Sequence, residues 1–264
     1  MGWVRCADIV GGTTILADGT TPSASQGSNG QIYLQYLDTA DVDVRESISN
    51  SATGAYFDTG YYFNENTRIE MKINLSGGST YPTPIGSRYN TSGMDNKQLF
   101  IATANTRIYY AFGSTEVYKD NFFSRNSDVI FKTEGRVLSR EQGGAKDEVV
   151  TNTYGANAIA SLYLFVANLN DTPWSDGYCI MTFYYCKIFE GNNLVHYYLP
   201  AVDGNDVPCL YDCITGNYIY NSGTGTLTVG NAITIDEDIV NVYAKVSGSW
   251  QDLIGTDIND ISLL

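Results

Sequence analysis

The chain has 264 residues, with 15 Lys plus Arg against 29 Asp plus Glu and a net charge of −14, so its surface repels phosphate backbones and excludes nucleic acid as a partner. Its 21 Tyr, 10 Phe and 26 Gly, beside 6 Pro and 17% charged residues, exclude a coiled coil and a disordered chain. They predict a β-rich, turn-rich chain long enough to bury a large core.

The opening "MGWVRCADIV" lacks the basic, apolar and small-residue order of a signal peptide, which predicts synthesis in a host cytoplasm without export. No apolar run is long enough to span a bilayer, so membrane insertion is not expected. The segment up to Leu16, with Trp3 and Ile9, reads either as an anchoring arm or as an ordinary first strand. From there on the apolar period is two. Strands are predicted at "QIYLQYL" (31–37), "AYFDTGYYF" (55–63), "TRIEMKINL" (67–75), "QLFIAT" (98–103), "RIYYAF" (107–112) and "DVIFKTEG" (128–135). They continue with "VLSREQ", "SLYLFVANL", "YCIMTFYYCKIFEG", "LVHYYLPAV", "VPCLYDC", "NYIYNSG", "TLTVG" and "VNVYAKVSG". Such close spacing predicts an all-β sandwich or barrel, and no segment carries a helical stripe. "GNN" at 191–193 and "VDGND" at 202–206 supply hairpin turns. Gly216, Gly223 and Gly225 are read as corners, with Tyr218 and Tyr220 on one face and Ile219 on the other.

Several of these segments resemble one known family. "YFDTGYYFNENTRIEM" at 56–71, "IGSR" at 85–88, "YLFVAN" at 163–168, "YYCKIFEGNNLVHYYLPAVD" at 184–203 and "TGNYIYNSGTGTLTVG" at 215–230 are similar to the laminin-G-like, concanavalin A-like jelly-roll domains of gut bacteria and their phages. The resemblance implies a two-sheet antiparallel jelly-roll sandwich over residues 45–231, with a curved face often used for ligands. The flanks, "GTTPSASQGSNGQIYLQYLDT" at 19–39 and "IVNVYAKVSGSWQDLIG" at 239–255, resemble two halves of a short motif of phage head-fibre and tail-fibre proteins. Ile32, Leu34 and Tyr36 alternate against Val242, Ala244 and Val246, with Trp250 capping that face. The expected organisation is a small β-module from residues 1–44 and 232–264, with the jelly-roll inserted into it. So small a module needs partners, and the resemblance implies a homotrimer on a virion. The expected function is that of a phage virion protein, as head fibre, capsid decoration or tail fibre, adhering to glycans or a host surface. The alternative is a bacterial carbohydrate-binding protein with no virion role.

No enzyme is expected. The Glu-x-Asp-x-x-Glu pattern of jelly-roll glucan hydrolases is missing, and "DVDVRE" at 41–46 and "DEDI" at 236–239 read as solvated joints. The single histidine, His196, lies mid-strand with no nucleophile elbow nearby. Cys6, Cys179, Cys186, Cys209 and Cys213 match no zinc spacing and read as buried small hydrophobes. For ligands, "NLNDTPWSDGY" at 168–178 gathers Asn170, Asp171, Trp174 and Asp176, an aromatic platform beside hydrogen-bonding groups that suits a sugar. Tyr89, with Asn90 and Asp95, forms a second candidate. Both also read as polar connections, with Trp174 tucked onto the sandwich. Ca2+ is held by such Asp and Asn oxygens in some laminin-G relatives, but no contiguous ligand loop spells it out here.

Overall fold

The computed structural model describes residues 15–18, 23, 25, 32–36, 42–88, 98–113, 116–150, 158–233, 239–246 and 249–252. Among them β1 (Ile15–Asp18) and β2 (Ile32–Tyr36) come first, then the short β3 (Asp43–Val44), β4 (Ile48–Ser49) and β5 (Phe57–Asp58), and the long β6 (Thr67–Gly78). Next are β7 (Ile85–Arg88), β8 (Leu99–Ala104), β9 (Arg107–Phe112) and β10 (Glu116–Lys119), followed by the meander β11 (Asp128–Glu134), β12 (Val137–Gln142) and β13 (Ala145–Val150). β14 (Tyr163–Leu164), β15 (Ala167–Leu169) and β16 (Thr172–Pro173) precede the hairpin of β17 (Cys179–Glu190) and β18 (Asn193–Val202). β19 (Pro208–Asp212), β20 (Asn217–Tyr220), β21 (Thr228–Val229), β22 (Ile239–Val246) and β23 (Ser249–Asp252) complete the order. The only helical segment among the described residues is the 3-10 turn Ser175–Gly177.

The fold is an all-β jelly-roll sandwich. An 11-stranded sheet has the main path β13-β12-β11-β6-β17-β18-β19-β20, with β3, β4 and β21 pairing off it, and an 8-stranded sheet has the main path β10-β9-β8-β7-β14-β5, with β15 and β16 off it. Neighbours along both paths are antiparallel. One core fills the space between them. Ile69, Met71, Ile73 and Leu75 of β6, with Phe131, Met181, Phe183 and Ile188, meet Ile85, Leu99, Ile101, Ile108, Tyr110 and Leu164 from the other sheet. Each such side chain contributes on the order of 1.5–3 kcal/mol by leaving water. β6 shows why the pattern works: Thr67, Ile69, Met71, Ile73 and Leu75 are buried, and the residues between them are half-buried.

β17 keeps its apolar face inward only through a bulge. Phe183 pairs with Ile73 and Tyr185 with Lys72, leaving Tyr184 as the extra residue. The phase of burial then shifts by one, so Cys186 and Ile188 enter the core while Tyr185 and Lys187 face outward. Two segments expected as single strands are broken. In 55–63 the chain turns at Gly60, with φ 68, whose N–H donates to Asp58 Oδ1. In 161–169 it turns at Phe165, with φ 70, whose N–H donates to the Pro84 carbonyl. The turn at 202–206 also differs from expectation. Its positive-φ residue is Asp206, and Asp203 Oδ1 organises it by accepting the N–H groups of Asn205 and Val207.

A separate 4-stranded sheet has the order β1-β2-β22-β23. β1 is parallel to β2, and β2 is antiparallel to β22, with Ile32 opposite Ala244 and Leu34 opposite Val242. Val246 pairs with Ser249 of β23. The side chains of these four strands, Trp250 included, lie outside the described residues, as do Trp3, Cys6 and Ile9.

The glycines after β20 serve close approach as well as bending. A Cβ at Gly223 would lie 1.9 Å from the Gly54 carbonyl oxygen, and one at Gly225 would lie 2.4 Å from the Ala55 nitrogen. Backbone bonds from Ser222 to Tyr56 and from Thr224 to Gly54 fasten the two segments together. Gly223→Ala should therefore force them apart and lower stability by roughly 1–3 kcal/mol, visible as a fall of several degrees in thermal unfolding. Gly204→Ala, with open space around it, should unfold within about 0.5 kcal/mol of the parent.

Candidate functional site

The register of the eight-stranded sheet decides what its outer face carries. Because Ile85, Leu99, Ile101, Ile108 and Tyr110 point into the core, the residues between them point away from it. One row across the ladder reads Asp58, Tyr163, Gly86, Phe100, Ala111, Glu116. The next pairs Ala102 with Tyr109 and Tyr109 with Tyr118. A Cβ at Gly86 would lie 2.6 Å from Phe100 Cβ, so the missing side chain leaves Phe100 room to lie flat against the sheet. Phe100, Ala102 and Ala111 form a small cluster of their own, with Tyr109 packed on it.

Arg88 builds the next layer. Its guanidinium carbon lies 4.5 Å from the Phe100 ring centroid and 4.5 Å from that of Trp174. The side chain is 5% exposed, and its ion partner, Glu116, stands 3.9 Å away. Burial lowers the Arg88 pKa and raises that of Glu116, in each case against the pull of the opposite charge. Desolvated cation–π contacts of this kind contribute about 2 kcal/mol.

Backbone bonds bring Trp174 and Tyr81 together. Trp174 N–H donates to the Ala167 carbonyl, and the segment after it is tied to residues 79–83: Ser79 N–H donates to Tyr178, Tyr81 N–H to Asp176 and Thr83 N–H to Gly177. The Trp174 and Tyr81 rings are 7° from parallel with centroids 5.9 Å apart. Tyr81 stands edge-on to Tyr109 at 5.7 Å, and Tyr109 is tilted against Tyr118 at 6.0 Å. Arg107 closes the row, its guanidinium carbon 4.4 Å from the Tyr118 ring centroid. It grips Asp120 through Nε to Oδ1 at 2.6 Å and Nη2 to Oδ2 at 3.2 Å, holding that carboxyl below the usual range. The result is a strip of four rings with paired donors and acceptors at one end. Tyr118 is 60% and Tyr81 37% exposed, while Trp174 and Tyr109 are half-buried. Such rings can stack on the apolar face of a sugar, and the flanking groups can bond its hydroxyls.

The residues of the 168–178 loop do not all converge. Asn170 and Asp171, with φ 50 and 63, form the tight turn between β15 and β16. Both are exposed, and among the described residues no hydrogen bond or ring contact joins either to Trp174. Asp171 instead acts on Tyr163, whose phenol is pushed up to about 12 by burial and by Asp58, with a smaller push from Asp171. Asp176 is exposed, and its backbone carbonyl accepts the Tyr81 N–H. Asn168 is buried, its amide donating to the Ser161 carbonyl. Tyr89, Asn90 and Asp95 lie outside the described residues. Sequence reasoning missed Tyr81, Arg88, Tyr109, Tyr118 and Arg107, which converge only through strand register and loop bonds. The alternation in "RIYYAF" placed Arg107 and Tyr109 on one face, but nothing local pointed to Trp174.

The other chemistry-bearing residues go elsewhere. His196 Nδ1 meets Asp212 Oδ2 at 2.7 Å, and its ring stacks on Tyr198. Asp212, 2% exposed, also accepts from Tyr197 N–H, Ile214 N–H and the Thr215 hydroxyl. Cys179, Cys186, Cys209 and Cys213 are buried and not disulfide-bonded, and burial pushes the Cys209 thiol up to about 12. Of the "DVDVRE" carboxylates, Asp43 pairs with Arg45 and Glu46 accepts from Asn231, while Asp41 lies outside the described residues.

No protein-family model matches the chain, and no curated protein matches it. Solved structures superpose on it in part at low identity. The CBM40 of Ruminococcus gnavus IT-sialidase bound to α2,3-sialyllactose superposes with a TM-score of 0.42 at 8% identity, over 56% of this chain and 92% of that one. A candidate carbohydrate-binding protein from Bacteroides ovatus gives 0.48 at 12%, over 78% and 71%. The heptameric SAP-like pentraxin of Limulus polyphemus gives 0.38 at 8%, over 78% and 98%.

The Asp212 cluster makes a stability prediction with a definite sign. Burial alone would raise this carboxyl, but the bonds from His196, Thr215 and the Tyr197 backbone outweigh it and hold its pKa below the ordinary value. Its stabilising effect is therefore complete above the unfolded-state value of about 3.9 and is lost as pH falls through the lower folded-state value. Asp212→Asn should cost about 3 kcal/mol at neutral pH, with the gap to the parent narrowing under strongly acidic conditions. Urea unfolding at a series of pH values measures this, and a gap independent of pH would contradict it.

Proposed function

We propose that the chain binds glycans through the strip formed by Trp174, Tyr81, Tyr109 and Tyr118, as a jelly-roll domain displayed on the surface of a bacteriophage particle. The observation that carries the glycan reading is the strip itself, a row of half-exposed rings ending in the hydrogen-bonded pair Arg107–Asp120. Trp174 is the first ring of the strip, with Asp176 beside it on the same turn and Asn170 and Asp171 at the outer edge of the loop.

Display is supported by two things. The flanking segments resemble phage fibre text, and strands from both ends, β2 and β22, pair in a sheet of their own. On this reading residues 1–44 and 232–264 are the attachment module, which joins capsid or tail proteins as a head fibre, decoration or tail fibre and associates as a homotrimer. Residues 45–231 are the binding domain that grows out of it. The ring strip equally favours a bacterial carbohydrate-binding protein with no virion role.

Two measurements separate these readings. Mass spectrometry of purified particles should find the chain at fixed stoichiometry; if it is missing there, the display reading falls and the bacterial one stands. On a glycan array the protein should give signals that Trp174→Ala weakens on the order of 30-fold, as for an aromatic anchor. An array blank for the parent protein would remove the glycan reading.

A further inference from the structure

We infer that the strip takes a neutral, linear oligosaccharide along its length, as a soluble single chain, and does not read a sugar terminus or a flat crystalline face. This rests on the glycan reading above and names the ligand class. Three features carry it.

The first is that, among the described residues, the strip runs out to the sheet edge. It starts at the turn holding Trp174, passes Tyr81 and Tyr109, and ends at Tyr118 on β10, the last strand of its sheet. Beyond Tyr109 the surface continues into an open recess of about 310 Å³ lined by Ala104, Asn105, Thr106, Arg107 and Asp120. A terminal sugar is held by enclosing it, whereas an internal stretch of chain lies along an extended surface of this kind.

The second is the turn of the ring planes. Trp174 and Tyr81 are 7° from parallel, Tyr81 and Tyr109 are at 86°, and Tyr109 and Tyr118 are at 47°. A flat crystalline face needs coplanar rings beneath it. Successive rings that rotate suit a chain whose own sugar units rotate about their linkages, and each ring can then meet one apolar sugar face.

The third is charge. Arg107 is neutralised by Asp120 in a two-pronged pair, and Arg88 is buried beneath Trp174 with Glu116 as its counter-charge. Among the described residues, both arginines that touch the rings are paired with a carboxylate, and the chain carries a net charge of −14, which repels polyanions. The Arg107–Asp120 pair instead offers donors and acceptors side by side, which matches neighbouring hydroxyls.

The test is the length dependence of affinity. Calorimetry would use the full chain with ladders of gluco-, manno-, galacto- and N-acetylglucosamine oligosaccharides, from disaccharide to hexasaccharide, beside sialyllactose, a sulfated disaccharide and a proline-rich peptide. In the ladder that binds, affinity should rise on the order of tenfold from disaccharide to tetrasaccharide, the scale of one added aromatic contact. Tyr118→Ala should remove that gain, leaving affinity flat from disaccharide to hexasaccharide. Tyr118 is 60% exposed on an edge strand, so the variant should melt with the parent protein, and a thermal scan verifies this. Affinity that is flat with length, a Tyr118→Ala variant that matches the parent on long chains, or binding restricted to sialylated or sulfated sugars would each overturn the inference while leaving glycan binding intact. If no sugar of any kind binds, or only a proline-rich peptide does, the glycan reading itself falls.

Discussion

β6 and β17 lie side by side from Thr67 against Glu190 to Gly78 against Cys179, with β11 and β18 on their flanks. This ladder forms the middle of the larger sheet, so its inward side chains have no route to solvent and must be apolar over their whole length. The constraint is strict because a slip of one residue would send Lys72 and Lys187 into the core and Ile73 and Ile188 out of it. The bulge at Tyr184 shows how strongly the core dictates the backbone. A regular β17 would turn Tyr185 and Lys187 inward, and one unpaired residue restores Cys186 and Ile188 to the interior.

The same constraint frees the outer face of the opposite sheet. Once Ile85, Leu99, Ile101, Ile108 and Tyr110 are committed to the core, Gly86, Phe100, Tyr109 and Ala111 must stand on the other side. That side is built in layers: small residues next to the sheet, Phe100 in the gap above Gly86, Arg88 over Phe100, and Trp174 over Arg88. Each layer fixes the one above. Trp174 is held from below by a cation and from its own turn by backbone bonds, so its ring direction is set before any ligand arrives.

Much of the architecture was readable from the sequence, because a strand buried on one face writes its geometry as a period of two. "RIYYAF" and "VLSREQ" coincide with β9 and β12, and "TRIEMKINL" lies within β6. What was missed has physical causes. β3, β4 and β16 are two-residue pairings, too short to show a period. β10 and β13 are edge strands, where half-exposed side chains need not alternate. Of the site, only Trp174 was anticipated among the strip residues, since a loop tryptophan among Asp and Asn stands out by composition. Tyr81 and Arg88 reach it through hydrogen bonds between main-chain groups, and those carry no side-chain signature at all. Asn170 and Asp171 were grouped with Trp174 because they are near it in the chain, but their positive φ values spend them on the turn.

The way the strip is made also bears on how strongly it can bind. Its rings are positioned by bonds among residues 79–83 and 174–178 and by the Arg88 layer, so little side-chain freedom is lost when a ligand docks. Yet the strip is shallow and its rings remain partly wet, which limits the apolar area that any one sugar chain can cover. A single site of this kind is suited to modest affinity with fast release. On the proposed display reading, several copies on one particle would convert modest sites into firm attachment, because the second contact forms at the effective concentration set by the first. Rigid, shallow and repeated sites serve adhesion to a chemically repetitive polymer better than one deep pocket would, since every register along the polymer offers the same contact.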